Sequence, residues 1–161
     1  MHRLRKASYE KIETGPGRSF AFREFDLPAF DSPWHFHPEF ELTLVTNGTG
    51  RRFVGDHIEG YGPGDLVLIG SDLPHFWRTE SSGSEHDSSR SLVVQFLPEF
   101  LGPEFLDLPE LDAIKGLFAN ASRGLKFSGR TRKRASEILT RMASRSPQGQ
   151  LLGLLDALDV L

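Results

Sequence analysis

The chain of 161 residues contains no cysteine, which excludes disulfides and thiolate metal sites and agrees with a reducing compartment. It has no apolar run approaching membrane-spanning length. Its basic start, MHRLRKASYEKIE, is not followed by the apolar segment of a secretory signal. These absences lead us to expect a cytoplasmic protein with no membrane partner. A strong charge of one sign is also missing, the formal net charge being −3. The distribution is nevertheless uneven: Arg123, Lys126, Arg130, Arg132, Lys133, Arg134, Arg141 and Arg145 stand against a lone Glu137. Such a block can meet nucleic acid, but no aromatic residues alternate with the cations and no helix-turn-helix pattern is present. The block reads as a solvated helix face, and specific DNA binding by these residues is not expected.

The length suits one well-filled core with an appendage and is too short for two ordinary domains. After a basic arm over residues 1–18 come short segments rich in β-branched and aromatic residues: SFAFREFDL, WHFHP, FELTLVT, RRFVGD, HIEGY, DLVLIG, HFWR and SLVVQF. Turn signals separate them, so the pattern predicts an all-β sandwich or barrel. Asn47-Gly48 and Gly55-Asp56 read as hairpin turns. The serine-rich stretch from Thr79 to Arg90 reads as a loop. Leu66 to Ile69 and Leu92 to Val94 are apolar on both faces, and strands of that kind need cover on each side.

Past Pro98 the period changes to that of helices, predicted over LPELDAIKGLFANA, SGRTRKRASEILTRMA and SPQGQLLGLLDALDVL. Ser128 and Ser146 are placed as N-caps, with Pro147 in the first turn. The expected organisation is an arm and barrel over residues 1–97 and a helical extension over 98–161, packed together as one unit. In the last helix Leu151, Leu155 and Leu158 are expected to face the barrel. That leaves Leu154 and Leu161 for a homodimer interface. The helix has no stop signal, so the chain reads as cut from a longer protein.

The chemistry is concentrated in His35, His37, Glu41 and His75. Residues i and i+2 of a strand share a face, so both imidazoles of His35 and His37 point one way. Pro38 interrupts the strand and lets Glu41 return to the same interior. His75 ends a loop in a separate hairpin, after the Pro63-Gly64-Asp65 turn. Three nitrogens and one carboxylate suit zinc, nickel, iron, manganese or copper without choosing among them. His2, His57 and His86 lack such a setting and read as surface residues. Most of the aromatics near these positions read as core, while Trp34, Thr43, Trp77 and Arg78 are candidates to line a small-molecule pocket.

These residues resemble the cupin superfamily. Its first motif, G-x5-H-x-H-x3-E-x6-G, is met at His35, His37, Glu41 and Gly48, with Ala29 in place of the leading glycine. Its second, G-x5-P-x-G-x2-H-x3-N, is met at Gly64 and His75, while Gly70, Asp72 and Thr79 depart from it. More specifically, residues 8 to 97 resemble the sensor domain of AraC-type transcriptional regulators in Glu41-Leu42-Thr43-Leu44, Phe53-Val54-Gly55-Asp56, Gly64-Asp65-Leu66 and Leu73-Pro74-His75. Arg123 to Leu139 extend the likeness. The resemblance implies a cupin barrel with C-terminal helices that binds a small-molecule effector, dimerises and meets DNA through a further domain downstream. The arm up to about Phe20 is a candidate moving part. The alternative is a small metal-dependent cupin enzyme of dioxygenase or isomerase type, for which no further acid or base is placed by motif, so no enzymatic activity is expected.

Overall fold

The computed structural model describes residues 6–80 and 88–161. In chain order its elements are β1 (Ser8–Tyr9), β2 (Ala21–Leu27), β3 (His35–Phe36), β4 (Phe40–Asn47), β5 (Gly50–Val54), β6 (His57–Tyr61), β7 (Leu66–Ile69), β8 (His75–Thr79) and β9 (Ser89–Phe96). They are followed by α1 (Asp112–Asn120), β10 (Leu125–Lys126), α2 (Gly129–Met142) and α3 (Pro147–Val160). The strands form two five-stranded sheets with orders β1-β3-β8-β5-β6 and β10-β7-β4-β9-β2. This is the cupin arrangement of facing sheets followed by helices. Residues 81–87, the centre of the serine-rich stretch, lie outside the described residues, and Ser89 and Arg90 already belong to β9.

Strand parity builds two cores on either side of the second sheet. From β4, β7 and β9, the side chains of Leu42, Leu44, Leu66, Leu68, Leu92, Val94 and Phe96 join one cluster with Ile114, Phe118, Ile138, Leu139, Leu154 and Leu158 of the helices. The alternate residues Val45, Val67 and Ile69 turn the other way and meet Phe30, Val54, Tyr61 and Trp77 between the sheets. The doubly apolar strands are thus covered on both faces.

Two turn readings need correction. Asn47-Gly48 is not a hairpin, because β4 pairs with β7 and β9 while β5 pairs with β6 and β8. The dipeptide carries the chain from one sheet to the other. For the same reason His75 does not close a hairpin: β7 and β8 lie in different sheets. Gly55-Asp56 does close one, with Val54 opposite His57 and Gly55 at φ 57°, a conformation that favours glycine.

Two strands have no sequence signature of their own. Arm residues Ser8 and Tyr9 run parallel to His35 and Phe36, and Leu125 and Lys126 pair with Leu68 and Val67. Next to that pairing, Gly70 N donates to Ala121 O at 3.0 Å. A Cβ at Gly70 would come within 2.5 Å of that carbonyl oxygen, so only glycine admits the helical layer so closely.

Ser146 Oγ accepts from Gly149 N at 3.2 Å and caps α3, whereas Ser128 occupies the N-cap position of α2 without a side-chain bond. Buried Arg52 of β5 grips Asp65, just before β7, through Nε to Oδ2 at 2.9 Å and Nη2 to Oδ1 at 3.1 Å, and so ties the two sheets together. No described helix is long and apolar enough to cross a membrane.

Candidate functional site

The register of β3 and β8 sets His35 directly opposite His75, with ring centroids 4.4 Å apart. His37 follows β3 as the chain leaves that sheet, and its ring lies 5.0 Å from that of His75. Glu41, near the start of β4, enters from the facing sheet, where Phe40 and Leu42 turn toward the helices and leave it toward the interior. One ligand atom from each of the four residues lies within 4.8 Å of every other, and all four residues are buried. The crossing at Pro38 and Glu39, read from the sequence as a turn, therefore converges two sheets on one point.

The hydrogen bonds fix which ring nitrogens face that point. Nδ1 of His35 bonds to Pro33 O at 2.7 Å, Nδ1 of His37 to Glu39 O at 3.1 Å and Nδ1 of His75 to Leu73 O at 2.7 Å. A carbonyl oxygen only accepts, so each Nδ1 carries the proton and each Nε2 is left for the centre. His37 Nε2 lies 3.1 Å and His75 Nε2 3.5 Å from Glu41 Oε2, while His35 Nε2 is 3.1 Å from Glu10 Oε2 of the arm. The buried His75 Nε2 has no hydrogen-bond partner among the described residues. Thr43 Oγ1 and Gln95 Nε2 each donate to Glu41 at 2.8 Å and hold its carboxylate.

Burial opposes charge on Glu41, but the charge of His75 and the bonds and charge of its histidine neighbours outweigh it and hold the carboxyl well below its ordinary range. Burial likewise opposes a charged His75, yet Glu41 and the Leu73 carbonyl raise its pKa on balance. His35 is lowered, first by burial and then by the charge of His75. Each outer nitrogen donates to a backbone carbonyl, as those of metal-binding histidines do, and the inner nitrogens converge. An orphaned Nε2 beside a carboxylate is the gap a divalent cation fills. The four residues fit such an ion.

His35 and Glu41 also line a cavity of about 190 Å³ between the sheets. Phe25, Phe30, Trp77 and Val93 give it apolar walls, and Thr43, Gln95 and Glu10 give it polar ones. Of the four pocket candidates, Thr43 and Trp77 line this cavity and Trp34 and Arg78 do not. The reason is parity: in β8 His75 and Trp77 face inward, so Phe76 and Arg78 face outward. Arg78 lies over the Phe76 ring at 5.4 Å, and Trp34 packs edge-on against the same ring at 5.7 Å. His75 alone carried enough information to exclude Arg78. Gln95 and Glu10 carried no motif and were missed, although the alternation of β9 puts Gln95 on the same face as Ser91 and Val93.

His57 is exposed, while His2 and His86 lie outside the described residues. Leu154 requires a correction as a dimer residue: it is 0 % exposed within one chain, in the core shared by the helices and the second sheet. Helix α3 packs along α2 and against α1, and most of its apolar arc joins the core shared with the second sheet. Leu161 is half-buried against the same core. The exposed leucine of this helix is Leu152, at 54 %.

A family model described as the AraC-like ligand binding domain matches residues 19–158. No curated protein matches the chain. Among solved structures, an apo variant of ToxT from Vibrio cholerae is similar at TM-score 0.55 and 12 % identity, over 88 % of this chain and 54 % of that one. Unsaturated fatty acid bound wild-type ToxT is similar at TM-score 0.55 and 11 % identity, over 86 % of this chain and 52 % of that one. The chain thus spans about half the length of the ToxT structures. A cupin 2 conserved barrel domain protein from Rhodopseudomonas palustris matches at TM-score 0.41 and 23 % identity, over 53 % of this chain and 57 % of that one.

Proposed function

The chain belongs to the AraC-like ligand-binding domain family, and we propose that it is the effector-sensing domain of an AraC-type transcriptional regulator, with a divalent metal held by His35, His37, Glu41 and His75. One observation carries the sensor reading: the family match runs from residue 19 to 158 and so takes in the helical layer as well as both sheets. A small metal-dependent cupin enzyme would need the four metal-binding residues but not that layer. DNA would be contacted by a domain outside these residues, and homodimerisation would use the outward side of α3 around Leu152 and Leu161.

When bound, a divalent metal supplies a Lewis acid that fixes an oxygen or nitrogen of a ligand. The rest is done by the chain. Phe25, Phe30 and Trp77 supply apolar walls, Thr43 and Gln95 orient Glu41, and the backbone carbonyls of Pro33, Glu39 and Leu73 hold the three imidazoles with Nε2 aimed at the centre. A cavity of about 150 Å³ holds a benzene-sized molecule, so the 190 Å³ here suits a compact, single-ring effector.

An effector that fits one arrangement of sheet and helices better than another shifts the population by that difference in affinity, typically about 1–3 kcal/mol. The test is a thermal-shift screen of compact ring compounds, with and without metal, on protein purified without a metal column. A compound that raises the melting temperature of wild type and not of a Trp77→Ala variant is the expected result. Turnover of that compound would instead favour the enzyme. Absence of metal on elemental analysis, with none taken up on titration and none lost in His37→Ala, would remove the metal from the proposal.

A further inference from the structure

We infer that the protein has a second small-molecule site, between the β5–β6 hairpin and the β7–β10 edge, which takes a neutral two-ring molecule through an oxygen acceptor held by Arg52. A cavity of about 420 Å³ lies there. It is more than twice the volume of the one beside the histidines, and the two share no lining residue. Strand order sets them apart. Glu10, next to β1, and Arg23, Phe25 and Leu27 of β2 line the first, whereas the second lies at the opposite edges of the same sheets, β6 in one and β10 in the other. Val67 and Ile69 line the second cavity and pack in one cluster with Trp77, which lines the first. That cluster is the wall between them.

Ion pairs tie the two sheets across this edge. Arg52 of β5 holds Asp65, just ahead of β7, and Lys126 of β10 reaches Glu59 of β6, Nζ to Oε1 at 2.6 Å. Between these ties Val54, Val67, Ile69 and Leu73 give the cavity apolar walls. The polar lining then sets the chemistry. Arg52 is 3 % exposed, and its Nε and Nη2 are committed to Asp65 and Glu59. Its Nη1 has no partner among the described residues, yet it is not sealed from solvent. Since Arg52 lines this cavity and is otherwise buried, the cavity is what Nη1 reaches. A guanidinium nitrogen only donates, so the matching group on a ligand is an acceptor.

Charge selects the kind of acceptor. Besides His57, the ionisable lining residues are Arg52, Arg123, Lys126, Asp56 and Glu59, and Asp65 completes the pair with Arg52. Three cations thus stand against three carboxylates. A net charge brought in by a ligand would go uncompensated against apolar walls, which is costly. A carboxylate at Nη1 would also meet Asp65 and Glu59 on the same guanidinium. A carbonyl, ether or hydroxyl oxygen satisfies the donor without either cost. The volume suits a two-ring body, given that about 150 Å³ holds benzene.

The experiment uses the whole chain with labelled valine and leucine methyls, followed by NMR at pH 8 with three probes of similar shape: 2-acetylnaphthalene, naphthalene and 2-naphthoate. 2-Acetylnaphthalene is expected to shift the methyls of Val54, Val67 and Leu73 and to bind about tenfold or more tightly than either other probe. Arg52→Lys keeps a cation for Asp65 but lacks Nη1, and should erase the preference for the acetyl group. Leu73→Trp fills the cavity and should abolish the shifts, while Val93, a wall of the first cavity, reports on that cavity and on the fold of each variant. Shifts at Val93 alone overturn the second site, as does no binding of any probe up to its solubility. Naphthalene binding as tightly as 2-acetylnaphthalene overturns the role of Arg52, and tighter binding of 2-naphthoate overturns the neutral class. Both comparisons are made in wild type, so they decide even if Arg52→Lys does not fold.

Discussion

Glu41→Gln separates a metal site from an ordinary buried ion pair. Glu41 accepts from Thr43 Oγ1 and Gln95 Nε2 at 2.8 Å and faces His37 Nε2 and His75 Nε2 at 3.1 and 3.5 Å. A glutamine keeps that shape. Its amide can donate to neutral imidazoles, and the Gln95 amide can turn its own Oε1, now without a partner, toward it. Exchanging a buried charge pair for neutral bonds of the same shape should change metal-free stability by less than about 1.5 kcal/mol. Metal-dependent stabilisation should behave quite differently. At a metal concentration 100 times the wild-type Kd the ion contributes about 2.7 kcal/mol, or roughly 5–11 °C in a domain of this size. Loss of the one charged residue among the four should weaken binding about 100-fold or more, given that even outer partners contribute 10- to 100-fold. The same metal concentration then leaves about 0.4 kcal/mol, roughly 1–2 °C. Differential scanning fluorimetry of both proteins after chelation, with and without zinc or manganese, reads these values. Equal metal-induced shifts in the two proteins would show that Glu41 is not a ligand, whatever its burial.

Arg52→Ala should destabilise by about 3–5 kcal/mol, because it strands the buried Asp65 carboxylate; an unchanged urea midpoint would refute that role. Leu154→Ala should cost about 2–5 kcal/mol as a core truncation, whereas Leu152→Glu should alter stability by no more than about 0.5 kcal/mol and reduce self-association in sedimentation if α3 forms the dimer. Metal uptake should be pH dependent in a definite direction. The depressed Glu41 pKa contributes stability above its ordinary value of 4.5, lost as pH falls through the folded value. The raised His75 pKa contributes below 6.5 and is lost as pH rises through its folded value, with the lowered His35 acting in the opposite sense. Because a metal needs His75 neutral, affinity should strengthen as pH rises from 6 to 8, and competition titrations with equal or tighter binding at pH 6 would contradict the assignment. Residues 1–161 alone should show no preference between genomic and random duplexes at physiological salt, since the basic block offers only salt-sensitive attraction to phosphates.

Much of this fold was legible because its signals are periodic. FELTLVT, HIEGY and SLVVQF read as strands from composition and alternation, and β4, β6 and β9 lie there. The four-residue cluster was legible for the same reason, spacing on a strand. What escaped depends on neighbours in space. Residues Leu125 and Lys126 are extended because Leu68 and Val67 offer an edge, and nothing in LK says so. Asn47-Gly48 looks like a hairpin because the local chemistry of a turn is the same whether the next strand returns to its neighbour or crosses to the facing sheet. Leu154 was misplaced because a helical wheel shows how many leucines need cover but not how many elements supply it. Here α2 and the second sheet both do.

The arrangement of β9 bears most directly on how a small molecule between the sheets could be felt outside them. Ser91, Val93 and Gln95 line the cavity, while Leu92, Val94 and Phe96, one residue out of step, pack in the cluster that holds Ile114, Phe118 and Leu154. The strand is flanked by β4 and β2, so it cannot slide by one residue without turning Gln95 into the helical core and Phe96 into the cavity. Small tilts of the whole sheet are left as the soft response. Phe96 stacks near Phe40, Phe100 and Phe118 at ring separations of 5.3 to 5.7 Å, a contact too dense to absorb a tilt by compression. Displacement on the cavity side must therefore appear as movement of α1 and its neighbours. A second link lies at the base of the arm, where Arg18 Nη1 donates to Gln150 Oε1 at 2.8 Å and Gln150 Nε2 to Met142 O at 3.2 Å. Arm and helix pair thus meet at the start of α3, so a change in the arm is felt directly by α2 and α3.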